Sequence, residues 1–259
     1  MTNEISVKEQ LIMHLKELHL PSIREYYEEG ARKAESETYS YEQYLLDVIE
    51  KEVDSRRNKR RDKLTKESNL ALSKSIGNFD LKRLPSKVQI QVKALQNGNF
   101  IYNNENVLAF GNPGTGKTHL LSAIGLELVQ KGQRVYFTSC QNLVQDLIRA
   151  KQELRLSRYL KKLSKYKPVI IDDIGYVQQN REEMEVLFTF FAERYEKGCV
   201  MISSNLPFSQ WDKIFKDQMT TAAAIDRLVH HSVILELNIP SYRIRSEERR
   251  VGKECRSRW

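Results

Sequence analysis

Apolar positions in the first quarter of the chain recur at helical spacing. Val7, Leu11, Leu15 and Leu18 form one stripe, and Pro21 ends that helix before a second begins. Ser40 stands three residues before Gln43, the capping-box pattern that starts a third helix. The sequence therefore predicts a small all-helical domain over residues 1–68.

The pattern changes to alternating short strands and helices from about residue 105. Five apolar runs predict strands at Asn106–Phe110, Arg134–Thr138, Val169–Ile171, Val200–Ser203 and Val233–Leu237. Strands separated by helices are typical of a mainly parallel sheet flanked by helices on both faces. We therefore predict an α/β domain over residues 105–244, joined to the helical domain by a connecting segment at residues 69–104.

Composition excludes several classes of protein. The 259 residues include 40% hydrophobic and 29% charged residues, which is ordinary for a chain with a buried core. No apolar run is long enough to cross a membrane, and the polar N-terminus lacks the apolar stretch of a signal peptide. The three cysteines share no metal-ligand spacing. These features favour a cytoplasmic protein without a membrane partner.

The last fifteen residues, 245–259, read RSEERRVGKECRSRW. In one reading frame this string matches the translation of a common sequencing adapter, so we expect it not to be native and leave it out of the fold. It holds six basic and three acidic residues, and leaving it out lowers the net charge from +8 to +5.

Positive charge is concentrated in two blocks. Residues 56–66 hold seven basic residues and one acidic residue, and residues 149–167 hold eight basic residues and one acidic residue. By contrast, residues 24–54 hold ten acidic and four basic residues. Each basic block is compatible with contact to a phosphate backbone or with a solvated amphipathic helix, and together they favour a polyanionic partner such as DNA.

The strongest motif is a phosphate-binding loop. Residues 111–118, GNPGTGKT, match the pattern GxxxxGK[ST] and lie between an apolar strand and an apolar helix. In such a loop, backbone N–H groups converge on phosphate oxygens at a helix N-terminus. Lys117 would then reach the β- and γ-phosphates of a nucleotide, and the Thr118 hydroxyl would bind Mg²⁺.

Two later strands end in polar residues suited to nucleotide hydrolysis. The strand before Asp172 and Asp173 is apolar, so Asp172 is a candidate Mg²⁺ ligand and Asp173 a candidate for orienting or deprotonating the attacking water. Asn205, after the run VMISS, is a candidate for orienting the same water, although asparagine before a turn is also common for local reasons.

These segments carry a resemblance to a known family. The motifs GNPGTGKTH, VIIDDIG, ISSN and AAIDRLVHH resemble AAA+ ATPases of the initiator and helicase-loader branch, and most closely the IstB family of insertion-sequence ATPases. The N-terminal segment SYEQYLLDVIEKEVDSR is similar to the IstB helical domain and favours that family over DnaC helicase loaders. The resemblance implies a P-loop AAA+ core that binds ATP and Mg²⁺.

The resemblance also implies roles for individual residues. Lys117, Asp172, Asp173 and Asn205 match catalytic positions of the family. Arg227 matches the arginine that reaches a neighbouring subunit's γ-phosphate, and Arg243 matches the sensor-2 arginine. Thr118 and Asp172 match the Mg²⁺ ligands. The nucleotide-binding set comprises Gly111, Asn112, Pro113, Gly114, Thr115, Gly116, Lys117, Thr118 and His119.

By this resemblance we expect an ATPase that assembles as a homo-oligomer on duplex DNA and assists a cognate transposase in target selection. Three alternatives share the phosphate-binding loop. They are a DnaC-type helicase loader, a nucleotide-gated architectural DNA-binding protein with little hydrolysis, and a small-molecule kinase. The two basic blocks and the order of the ATPase motifs disfavour the kinase.

Overall fold

The computed structural model describes residues 6–175, 181–211 and 218–242. The chain divides into two compact units, Met1–Lys63 and Leu64–Trp259. The first unit contains α1 (Val7–Glu17), α2 (Pro21–Ser36) and most of α3 (Tyr41–Glu67), whose last turn belongs to the second unit.

Polar caps set where the three N-terminal helices begin. The capping box expected before α3 is confirmed. The backbone N–H of Gln43 donates to Ser40 Oγ at 3.2 Å, and the side-chain Oε1 of Gln43 accepts from the backbone N–H of Ser40 at 2.8 Å. At α2, which starts with Pro21, the buried Glu52 carboxylate of α3 accepts from the Ser22 N–H at 2.8 Å. Glu52 thus substitutes for a local cap and joins α3 to α2.

The second unit is an α/β fold. Its helices are α4 (Ser86–Asn97), α5 (Asn99–Tyr102), α6 (Lys117–Gln130), α7 (Cys140–Gln152), α8 (Leu156–Leu163), α9 (Arg181–Arg194) and α10 (Gln218–Val229). Its strands are β1 (Asn106–Phe110), β2 (Tyr136–Ser139), β3 (Val169–Asp172), β4 (Val200–Ser204) and β5 (Ser232–Glu236). Short 3₁₀ turns lie at Leu72–Lys74, Ile76–Asn78, Leu81–Arg83 and Phe208–Gln210.

The strands form one parallel sheet in the order β2-β3-β4-β1-β5. In the register of the central pair, Val107 lies opposite Met201 and Leu108 opposite Ile202. Alternate strand residues enter two hydrophobic clusters, so that Val107 and Met201 pack with α4 and α6 while Leu108 and Ile202 pack with α7, α9 and α10. A five-stranded parallel sheet with helices packed on both faces confirms the predicted α/β architecture.

The segment expected to connect the domains contributes to this core. Within residues 69–104, the side chains of Leu70, Phe79, Val88, Val92 and Phe100 are among those buried against α6 and the sheet. Gly98, with a φ of 83°, forms the turn between α4 and α5. The structure therefore makes this segment part of the larger unit, because its apolar face follows helical spacing and covers the sheet.

The second basic block does not form one continuous helix. Helix α7 ends at Gln152, Leu154 has a φ of 55°, and α8 begins at Leu156. This break turns α8 back beside α7, with Leu160 and Leu163 packed in the same cluster as Leu147.

No helix within the described ranges is both long and apolar enough to cross a membrane.

Candidate active site

The phosphate-binding loop connects the end of β1 to the start of α6, as the motif predicts. Gly116 has a φ of 93°, and a Cβ at this position would lie 2.8 Å from the ring of Phe79. Only glycine satisfies both constraints without displacing the ring. The loop can therefore present its backbone N–H groups together with the N-terminus of α6, an arrangement suited to phosphate oxygens.

The Lys117 side chain is buried and folds over the loop itself. Its Nζ donates to the carbonyl oxygens of Gly111 at 2.8 Å and Asn112 at 3.0 Å. These two carbonyl acceptors hold the ammonium at the loop. A phosphate group in the loop would offer the ammonium a charged acceptor in their place.

Three residues from three elements meet at the end of β3. Asp172 Oδ1 accepts from Thr118 Oγ1 of α6 at 2.8 Å and from Ser203 Oγ of β4 at 2.6 Å. The parallel sheet produces this contact, because the carboxyl ends of β3 and β4 are neighbours and both face the start of α6. The structure thus brings together the two residues expected to bind Mg²⁺ and adds Ser203, which the motifs did not identify.

Ser203 also fixes the residue after Asp172. The backbone N–H of Asp173 donates to Ser203 Oγ at 2.9 Å, and Asp173 has a φ of 58°. Aspartate tolerates this left-handed conformation better than most residues do. One serine hydroxyl therefore orients the side chain of Asp172 and the backbone of Asp173 at the same time.

A cavity of about 690 Å³ opens beside these residues. It contains Lys117, Thr118, Asp172 and Asp173 together with His119 and the loop residues Pro113, Gly114 and Gly116. Four further residues line it that no motif indicated: Lys74, Asn78, Phe79 and Tyr242. The first three belong to the segment expected to be a connector, and Tyr242 follows β5. All four are distant from the phosphate-binding loop in the sequence, so the motifs could not assign them to the cavity.

Aromatic contacts join the far wall of this cavity to the phosphate-binding loop. Phe79 packs edge-on against His119, with ring centroids 5.2 Å apart, and lies 5.9 Å from the ring of Tyr242. The Tyr242 N–H donates to the Gly114 carbonyl at 2.9 Å, and the Arg83 guanidinium lies 3.9 Å above the Tyr242 ring. The wall is therefore apolar and aromatic, which suits a planar base.

The oxygen atoms at the end of β3 fit a magnesium ion. Mg²⁺ prefers oxygen ligands and is commonly held by one or two protein groups together with phosphate oxygens and water. Thr118 Oγ1 and Asp172 Oδ1 supply a hydroxyl and a carboxylate at the mouth of the phosphate-binding loop.

Asn205 lies beside the phosphate-binding loop. It does not line the cavity that contains Asp173, and instead borders a separate cavity of about 360 Å³ with Gly111, Asn112 and Phe208. Its Oδ1 is buried, has no hydrogen-bond partner among the described residues, and packs directly against Gly175. Its expected role toward the attacking water stays a prediction. Arg243 and the tail at residues 245–259 lie outside the described residues.

Arg227 lies at the opposite edge of the sheet, where the strands begin. It borders a cavity of about 260 Å³ together with Asn106 at the start of β1, Val200 at the start of β4 and Arg194 at the end of α9. The structure therefore does not bring Arg227 together with Lys117 and Asp172 within one chain. This placement is compatible with a role toward a neighbouring copy.

The buried Arg194 ties together the loops at this edge. Its guanidinium donates to the carbonyl oxygens of Leu163 at 3.2 Å, Tyr166 at 3.0 Å and Cys199 at 2.8 Å. Burial lowers the pKa of Arg194 to about 10 and raises the pKa of the adjacent Cys199 thiol to about 12. Arg194 is thus a structural cation, and Cys199 remains a neutral thiol at physiological pH.

The break between α7 and α8 creates a cationic cavity of about 730 Å³. Asp146 and Glu153 supply its carboxylates, and burial raises the pKa of Tyr159, whose hydroxyl donates to Asp146 at 3.2 Å. Six basic residues line this cavity: Arg149, Arg155, Arg158, Lys161, Lys162 and Lys165. Lys151, from the same block, points elsewhere and pairs with Glu185 at 3.1 Å.

Comparison with known proteins identifies similar chains over nearly the whole length. A family model described as IstB-like ATP binding protein matches residues 13–250. The chain is 39% identical to an insertion sequence ATP-binding protein of Sinorhizobium fredii, over 90% of this chain and 78% of that protein. It is 36% identical to the IS21 ATP-binding protein of Pseudomonas aeruginosa, over 94% of this chain and 91% of that protein.

Solved structures share the fold of the larger unit. AMPPCP-bound DnaA from Aquifex aeolicus superposes with a TM-score of 0.56 at 18% identity, over 66% of this chain and 51% of that chain. DnaI superposes with a TM-score of 0.54 at 18% identity, over 65% of this chain and 95% of that chain. At this identity the likeness establishes the AAA+ fold and nothing finer.

Proposed function

Because the chain belongs to the family of IstB-like ATP-binding proteins and is a P-loop AAA+ ATPase, we propose that it assembles with ATP on duplex DNA and assists a transposase in selecting target DNA. The matched relatives are insertion sequence proteins, which supports a transposition helper over a helicase loader. The similarity to DnaI concerns the fold and does not identify a helicase partner.

In this proposal the residues at the carboxyl edge of the sheet perform ATP hydrolysis. The loop N–H groups and Lys117 bind the phosphates, and Thr118 and Asp172 would hold Mg²⁺, which would supply positive charge to neutralise the phosphate oxygens. Asp173 orients the attacking water and accepts its proton. The base lies against the wall formed by Phe79 and Tyr242, which lines the same cavity as the catalytic residues.

A second part of the proposal concerns coupling between copies. Arg227 stabilises charge on the γ-phosphate bound by a neighbouring copy, so that hydrolysis depends on assembly. Its position at the edge of the sheet opposite the nucleotide-binding cavity supports this role, since it cannot serve the site of its own chain from there.

The observation that carries the DNA-binding proposal is the cationic cavity between α7 and α8. Six basic side chains converge there, and among the described residues only Arg155 of the six is ion-paired, with Glu153. Convergent cations without carboxylate partners neutralise backbone phosphates and read no bases. We therefore expect DNA binding that is strongly dependent on salt and weakly dependent on sequence.

Substitution within the basic block tests this assignment. Lys161→Ser and Lys162→Ser together remove two cations from the cavity, whereas Lys151→Ser removes one from the same block outside it. We expect the double variant to lose about tenfold or more in duplex affinity and to show a shallower salt dependence, because two phosphate contacts are lost. The measurement is fluorescence anisotropy of labelled duplex at several salt concentrations. Equal losses for Lys151→Ser would contradict the assignment.

The transposase partner requires its own test. Wild-type protein assembled with ATP on duplex DNA is mixed with the cognate transposase, and retention of the transposase is compared with a reaction containing ADP. Retention that depends on ATP supports the proposal. Retention of a replicative helicase in place of the transposase would favour the helicase-loader alternative.

A further inference from the structure

Arg227 is held by its flat face rather than by its hydrogen-bonding edge. Its guanidinium carbon lies 4.6 Å from the centroid of the Phe188 ring, within the range of a cation–π contact. Phe188 comes from α9 and Arg227 from α10, so the contact joins two helices that pack against each other. Stacking on a ring uses the face of a guanidinium and leaves its N–H groups for other partners.

The N–H groups of Arg227 have no acceptor among the described residues. One of its terminal nitrogens is buried and makes no hydrogen bond there, and no carboxylate lies within ion-pair distance in the same part of the chain. Glu196 lines the same cavity as Arg227, and no ion pair between the two is formed among the described residues. Turning the guanidinium toward a new acceptor therefore breaks no hydrogen bond within these residues.

The ring itself has little freedom to move. Phe188 is partly buried in the cluster beneath α9, and its helix neighbours Leu187 and Phe191 are almost completely buried. Helical neighbours fixed in this way restrict the backbone and the side-chain rotamer of Phe188. Phe188 can therefore act as a fixed platform beneath a guanidinium that makes no hydrogen bond among the described residues.

We propose that Phe188 is a positioning residue, which holds Arg227 stacked and ready to donate its N–H groups to a phosphate bound by a neighbouring copy. This inference rests on the proposed role of Arg227 between copies. Because the ring already restricts the Arg227 side chain, that side chain loses less conformational freedom when it binds the phosphate. Phe188 touches neither the nucleotide nor the water, so it acts only through Arg227.

Mixed assemblies separate the donor of the arginine from the site that receives it. Arg227→Ala protomers keep a complete nucleotide site but donate no arginine, while Asp173→Asn protomers bind ATP and donate Arg227 but lack the carboxylate proposed to activate water. Mixing the two with ATP, Mg²⁺ and duplex DNA should restore hydrolysis at the interfaces between unlike copies. This restored rate is the reference for testing Phe188.

The donor protomer then carries a second change at Phe188. With Asp173→Asn/Phe188→Leu donors we expect the restored kcat to fall about fivefold, the effect of losing one orienting cation–π contact. The KM for ATP should not change, because the receiving protomer is untouched. Phe188→Tyr donors keep the aromatic face and should restore the rate.

The outcomes distinguish the inference from the function on which it rests. If Asp173→Asn donors co-assemble but restore nothing, the proposed role of Arg227 between copies fails. If they restore hydrolysis and Phe188→Leu donors do so equally well, only the role of Phe188 fails. Loss of ATP-dependent sedimentation with Phe188→Leu would also overturn the inference, because the ring would then be supporting the assembly rather than the guanidinium.

Discussion

The two edges of the sheet differ in how completely the N–H groups of their buried or partly buried cations are paired. At the carboxyl edge, Asp172 accepts two hydroxyl hydrogen bonds and Lys117 donates to two carbonyls. At the amino edge, Arg194 and Arg227 each have a buried nitrogen with no acceptor among the described residues. The first edge is ready to bind a nucleotide, whereas the second has unused donors.

This difference suggests a division of labour between copies. Buried donors without acceptors cost roughly 1–3 kcal/mol each, so a chain gains little by keeping them unless an acceptor arrives. A neighbouring copy that presents its phosphate to Arg227 would supply that acceptor. The comparison thus predicts that substitutions at the carboxyl edge impair chemistry directly, while those at the amino edge impair stability or coupling.

The largest expected effect is at the carboxyl edge. Asp172→Asn removes the carboxylate charge at the position that accepts hydrogen bonds from Thr118 and Ser203. The same carboxylate is proposed to hold Mg²⁺. We expect kcat for ATP hydrolysis to fall about a thousandfold, since charge stabilisation dominates phosphoryl transfer. Single-turnover hydrolysis at saturating ATP measures it. Asp146→Asn, in the cationic cavity, is the matched control and should retain nearly full activity.

A smaller effect is expected at the amino edge, and on a different property. Arg194→Met leaves the carbonyls of Leu163, Tyr166 and Cys199 without their donor. We expect the free energy of unfolding to fall by about 3 kcal/mol, as when a buried network is broken. Urea unfolding followed by circular dichroism measures it. The exposed Arg181→Met is the control, and equal losses in the two variants would contradict this assignment.

The smallest of the three effects distinguishes two neighbouring serines. Ser203→Ala removes the hydroxyl that orients Asp172 and accepts from the Asp173 N–H. We expect kcat to fall about tenfold with little change in KM, because the acidic pair is misplaced but present. Ser204→Ala is the control, since among the described residues that buried hydroxyl forms hydrogen bonds only with the Leu206 backbone. Steady-state hydrolysis compares them, and similar values would refute a special role for Ser203.

The strands and the phosphate-binding loop were predictable because their signals are local. An apolar run followed by GxxxxGK[ST] requires no knowledge of distant residues, and Asp172 could be placed by its position at a strand end. Ser203 could not be assigned in this way, because its partnership with Asp172 depends on β3 and β4 being neighbours in the sheet. Phe79 and Tyr242 were missed for the same reason, since 163 positions separate them in the sequence.

By charge count alone, the two basic blocks have nearly the same net positive charge. In the structure the two blocks have different surroundings. Arg56 of the first block pairs with Glu52 and also donates to the His19 carbonyl within the N-terminal helices. The second block instead surrounds a cavity, as a result of the break at Leu154. Nothing in the composition of the block indicated this break, which depends on packing of α8 beside α7.

The central claim is that ATP binding at the carboxyl edge drives assembly on DNA. Sedimentation velocity of the full chain with duplex DNA, with and without ATP and Mg²⁺, tests it directly when Lys117→Ala is measured in parallel. We expect a large complex that requires ATP and is absent with Lys117→Ala. The Lys117→Ala variant should retain only weak, salt-sensitive binding to DNA. A large complex that forms equally well without ATP, or that survives Lys117→Ala, would contradict the claim.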